Sequence, residues 1–270
     1  MYIVTRELRD EFINGLAVNF SYARRLPTMQ IGSVSDISFG ATHLFLAGTP
    51  FSRQHRMTNA PAITSTLEPL CLKIWNYFYM DKAPSSQAEF DLFHKECCHM
   101  FLDIFASHGY HHNYGNAQKF VNVLFKYLSC YSDAFMFEKK FQFCHMALDG
   151  FTYAGGYRLC YYRDVVCEER RTNQHLTSWS KLTESEYDEI ANKLATHVAK
   201  RPKTYNTYLR FCHSLGLFTR VELLKNDYVL TIFEAEFFIW TIAKNMQSED
   251  ANGNYIYTIP FVRNVCNLLK

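Results

Sequence analysis

Apolar side chains recur along much of the chain at intervals of three and four residues, the spacing that lines one face of an α-helix. Leu67, Leu70, Cys71, Ile74, Trp75 and Phe78 form the first such run. It follows Ser65-Thr66-Leu67-Glu68, which has the Ser/Thr-x-x-Glu form of a capping box. A second box, Ser86 with Glu89, precedes Phe90, Phe93, Cys97, Phe101, Ile104 and Phe105. Asn116 is the expected cap of a third helix, with Ala117, Phe120, Val121, Leu124, Tyr127, Leu128 and Tyr131 on its apolar face. Thr183 and Glu186 open a fourth, which carries Tyr187, Ile190, Ala191, Leu194 and Val198. Two shorter helices are expected from Thr204 to Leu215, closed by Gly216, and from Thr219 to Asn226. Tyr228 to Ala243 is mixed, β-branched at its start and helical in spacing at its end.

The first 60 residues break this pattern. Between Leu26 and Arg56 the chain holds Pro27, Gly32, Gly40, Gly48 and Pro50 with short apolar pieces, the signature of irregular structure with a short hairpin. A Gly-rich interruption from Gly150 to Gly156 and a polar stretch from Glu168 to Ser178 divide the remainder. The expected architecture is all-α: an irregular region over residues 1–60, a helical lobe over 61–149 and a second over 150–270, closely packed or forming one domain.

Composition narrows the function classes. The 270 residues are 48% hydrophobic and 20% charged, which excludes intrinsic disorder. With 28 basic against 26 acidic residues, the net charge of +2 gives no electrostatic case for nucleic acid, which usually demands a concentrated basic patch. The nine cysteines include no CxxC pair and sit mostly within apolar runs, as buried thiols do in a reducing cytoplasm. The N-terminal Met1-Tyr-Ile-Val-Thr-Arg6 has no apolar signal-peptide core, and the longest apolar stretch, Val229 to Ala243, contains Glu234 and Glu236. A soluble cytoplasmic protein, not a membrane protein, is expected. Aromatics make up 16%, and most fall on the apolar helix faces, where they serve as core.

Three constellations have chemical potential. His94 and Cys98 are one helical turn apart, and with His108 and His111 or His112 they offer the side chains of a four-ligand zinc site; Cys97 lies instead on the apolar stripe with Phe93 and Phe101, as core cysteines do, and no metal or cofactor is expected. Arg170 and His175 are separated by four residues, as in HEPN-class ribonucleases, where a histidine acts as general acid or base and an arginine stabilises phosphorane charge. Lys119, Asn122 and Lys126 line one edge of the third helix, and His145 and Asp149 have the spacing of an acid/base dyad one turn apart. The plainer account of the last group is a solvated helix edge and a self-satisfied polar network. No Walker loop, GxGxxG, HExxH or GxSxG occurs.

Four blocks occur in order: Tyr114-Gly-Asn-Ala-Gln-Lys119-Phe-Val-Asn122-Val-Leu-Phe-Lys126-Tyr, Cys144-His145-Met-Ala-Leu-Asp149, Trp179-Ser-Lys181 and Phe233-Glu-Ala-Glu236-Phe-Phe-Ile-Trp240. Together they resemble a group of uncharacterised bacterial and phage-associated proteins, over about residues 114–240, with Ala147 where that pattern has proline. The resemblance brings no activity with it, but it selects Lys119, Asn122, Lys126, Trp179 and Lys181 as ligand-binding residues and His145 and Asp149 as catalytic ones. A polar cleft between helical lobes, built from cations and hydrogen-bonding groups with Trp179 for stacking, suits a nucleotide or nucleic-acid partner. The alternatives are an HEPN-like ribonuclease using Arg170 and His175, or a non-catalytic protein working as a homo-oligomer.

Overall fold

The computed structural model describes residues 60–79, 84–129, 139–149, 179–199, 231–234, 236, 247–249 and 255–257. The described part is mainly α-helical. Helix α1 spans Ala60–Tyr79, α2 Gln87–Ser107, α3 Tyr114–Ser129 and α4 Glu184–Ala199. Short 3-10 turns cover Lys139–Phe143 and Trp179–Lys181. A small antiparallel ribbon, β1 (Gln247–Glu249) with β2 (Tyr255–Tyr257), pairs Ser248 with Ile256 and was not foreseen in the sequence. Residues 1–59 of the region expected to be irregular and the two short helices expected between residues 204 and 226 lie outside the described residues, while Ala60 is helical. Among the described residues no helix is long and apolar enough to cross a membrane.

The chain divides into two compact units, the first of residues 16–144 and the second of residues 145–270 together with residues 1–15. In the first unit, α2 packs against both α1 and α3. Of the expected apolar stripes, Leu67, Leu70, Cys71, Ile74 and Phe78 on α1, Phe90, Phe93, Cys97, Phe101 and Phe105 on α2, and Ala117, Phe120, Val121 and Leu124 on α3 face inward; Ile104 is only half-buried, and Phe125, outside the expected α3 face, is fully buried with them. Aromatic rings connect the three helices. Phe125 meets Phe78 at 5.2 Å and Phe90 at 5.6 Å between centroids, both edge-on, and Phe78 stacks on Phe141 at 4.4 Å. The Lys73–Glu96 ion pair at 2.7 Å and the stacked Tyr77–Phe93 rings at 3.6 Å set the register of α1 on α2. Burial pushes the Cys97 thiol far above its usual range, so it is an inert core group.

Two of the expected caps are placed differently. Helix α1 begins by Ala60 and runs through Ser65-Thr66-Leu67-Glu68, with Pro69 inside it. The Thr66 hydroxyl does not cap; it lies 2.9 Å from Nε2 of His108, at the far end of α2. Helix α3 starts at Tyr114, and Asn116 donates its own backbone N–H to the Asn113 carbonyl from within the first turn.

Helix α2 shows both of its ends fully determined. Ser86 Oγ accepts the Glu89 N–H at 3.2 Å, as the sequence leads one to expect. The Glu89 carboxylate reaches one residue further back than the usual box, accepting from Ser85 N–H at 2.8 Å and Ser85 Oγ at 2.7 Å. At the other end, Gly109 sits at φ +80, Gly109 N–H bonds Ala106 and Tyr110 N–H bonds Phe105. That is a Schellman closure, completed by the edge-on Tyr110–Phe105 contact.

Replacing Ser86 with Ala should cost about 1 kcal/mol in urea unfolding. Hydrogen bonds from Ser85, first through its backbone and then its hydroxyl, hold the Glu89 carboxyl below its ordinary value. Its contribution is therefore present above the ordinary carboxylate range and fades as pH falls through it. A Glu89→Gln variant should lose that segment of the acid-side pH dependence, measured by urea midpoints at successive pH values.

Candidate functional site

The candidate residues fall in both units, and each unit is described by itself. In the first, the polar edge of α3 is not a solvated stripe. Asn122 is 0% and Lys126 1% exposed, while Lys119 is half-buried. Gln118 and Ser129 are buried as well, so the buried polar line runs Gln118, Asn122, Lys126, Ser129 at close to whole helical turns. Gln118 Nε2 donates to the Gly115 carbonyl at 2.8 Å, Asn122 Nδ2 to Gln118 Oε1 at 3.2 Å, and Ser129 Oγ to the Lys126 carbonyl at 2.7 Å. Lysine is almost never fully buried unless its charge is compensated. Lys126 occupies the last turn of α3, where the carbonyl end of the helix dipole favours a cation. Gln118 was missed in the sequence reading. Its i−4 spacing from Asn122 is the signal that locates it.

In the second unit, every residue from His145 to Asp149 is buried. This segment is neither helix nor strand. The expected one-turn dyad of His145 and Asp149 therefore has no helical turn to bring it together. His145 instead meets Tyr187: Nδ1 and Oη are 3.0 Å apart, with the rings tilted at 40°. The hydroxyl donates when Nδ1 is bare and accepts when Nδ1 carries the proton. His145 is 9%, Asp149 6% and Tyr187 0% exposed, so three titratable side chains of this unit are withdrawn from water. Tyr187 was assigned only to an apolar stripe, because periodicity records the burial of a tyrosine and not the reach of its hydroxyl.

Trp179 and Lys181 stand on the 3-10 turn that leads into α4. Leu182 N–H bonds back to the Trp179 carbonyl at 3.4 Å. Thr183 then closes the expected capping box: its N–H and Oγ both donate to Glu186 Oε2 at 2.8 Å, and its Oγ accepts the Glu186 N–H at 3.3 Å. Leu182 and Tyr187, the two positions of a hydrophobic staple around that cap, are both buried. The turn is thus anchored, with Lys181 exposed and Trp179 half-buried. The Glu234 block has a simpler explanation. Its carboxylate accepts from Thr231 N–H and Oγ at 3.0 Å, a further capping box.

The zinc grouping does not assemble. His94 and Cys98 are a buried pair, with Sγ 3.7 Å from Nε2, inside the aromatic core beside Phe90 and Phe125. His108 is engaged with Thr66, and the His112 ring packs edge-on against Phe105 at 4.8 Å. Among the described residues no group of three or more metal-ligating side chains comes together. Arg170 and His175 lie outside the described residues. No family model, no curated protein and no solved structure matches this chain.

Proposed function

We propose that this chain binds a nucleotide, or an unpaired nucleotide of a nucleic-acid strand, through the Trp179–Lys181 turn, and that it belongs with the bacterial and phage-associated group that its sequence blocks resemble. The observation that carries the binding site is the exposure pattern. Lys181 and part of Trp179 reach the surface from a turn held by a complete capping box, whereas His145 and Asp149 of the same unit are buried. A half-exposed indole offers a π-face for one base, and a lysine two residues on offers one phosphate contact. His145 and Asp149 then supply buried polar support to the unit and not direct contact.

Charge decides between a nucleotide and a long backbone. Glu184 and Glu186 occupy the first turn of α4, Asp188 and Glu189 follow, and the net charge of the chain is only +2. Such surroundings disfavour a polyanion, so stacking supplies most of the affinity. Binding of adenosine 5′-monophosphate and of an unpaired oligoadenylate should therefore depend weakly on salt. For the oligoadenylate, one phosphate contact gives a log–log slope of roughly −0.7, and Lys181→Ala should flatten it while weakening binding by about threefold. Isothermal titration across a salt series checks this. Failure of both probes to bind at millimolar concentration rejects the proposal.

A further inference from the structure

Resting on that reading of the Trp179–Lys181 turn, we infer that Tyr187 is a positioning residue of the site, acting through its hydrogen bond to His145. Three observations place it there. Tyr187 is fully buried in the first turns of α4, directly after the Thr183 cap that terminates the Trp179–Lys181 turn. Its ring and Leu182 occupy the staple positions that set the angle at which this turn enters the helix. Its hydroxyl makes a 3.0 Å bond to His145 Nδ1, 42 residues away in sequence, on the buried segment that also carries Asp149. One side chain thus bonds the segment bearing the two buried titratable groups to the helix whose entry presents Trp179 and Lys181. Position, rather than contact with ligand, is what Tyr187 controls.

The hydroxyl is separable from the ring, which makes the inference testable in the full chain. Tyr187→Phe keeps the staple and removes the bond, and should weaken adenosine 5′-monophosphate binding by about fivefold, the loss of one hydrogen bond. His145→Leu should weaken binding at least as much, and the double variant no more than His145→Leu alone, because the bond the two side chains share is then already gone. His145→Asn keeps an amide where Nδ1 stood and should retain affinity within about twofold of the parent. The salt slope, set by Lys181, should not move in any of them. Parental affinity in Tyr187→Phe, or a loss in His145→Asn as large as in His145→Leu, overturns the inference while Trp179-dependent binding persists. If the parent chain itself does not bind, the underlying reading fails instead.

Discussion

Phe125→Ala should destabilise the α1–α3 unit by about 3–5 kcal/mol, the range for removing a buried phenylalanine. Phe125 is fully buried, and its ring touches residues of two other helices: Phe78 of α1, and Phe90, Phe93 and His94 of α2. Removing it leaves a cavity bordered by rings on both helices, and rigid aromatic neighbours cannot collapse into it easily. A whole domain is usually stable by about 5–15 kcal/mol, so this one change takes a large share. Leu92, 67% exposed on α2, is the internal comparison, and Leu92→Ala should stay within about 0.5 kcal/mol. Urea unfolding followed by tryptophan fluorescence and far-ultraviolet dichroism together separates the two. Coincident transitions for both probes license a single stability value.

Trp179→Ala should weaken nucleotide binding between about fivefold and 150-fold, the equivalent of one stacked base. The loss should exceed that of Lys181→Ala, because the acidic first turns of α4 leave a single lysine little net attraction for phosphate. Trp179 is half-buried, so its removal should lower the thermal midpoint far less than Phe125→Ala does. Equilibrium titrations and thermal melts of the same preparations check both statements. A variant that melts with the parent and binds like it removes Trp179 from the site.

How much of this was legible in the sequence depended on how local the cause is. The inward stripes of α1, α2 and α3 follow from spacing alone, since burying an apolar face is the dominant favourable term. The boxes at Ser86 and Thr183 were equally legible, because a hydroxyl and a carboxylate three residues apart need only each other. The Ser65 box misled because α1 has already begun by Ala60, so Ser65 lies inside the helix, and a box's spacing alone does not say where a helix starts. The spacing of Lys119, Asn122 and Lys126 puts them along one edge of α3, but a lysine's burial is decided by what covers it. The His145–Tyr187 bond spans 42 positions, so it left no trace in either neighbourhood. Asp149 illustrates the reverse error, where a four-residue spacing implied a helical turn in a segment that is not helical.

The central claim, that Trp179 stacks a base, is tested most directly by its indole N–H resonance in a titration with adenosine 5′-monophosphate. Ribose 5-phosphate, which has the phosphate and no base, serves as the comparison. Stacking predicts that the Trp179 signal moves upfield and saturates with the nucleotide, stays in place with the sugar phosphate, and leaves the Trp75 and Trp240 signals unmoved. A Trp179 resonance that does not respond at saturating nucleotide, or that responds equally to ribose 5-phosphate, contradicts the account.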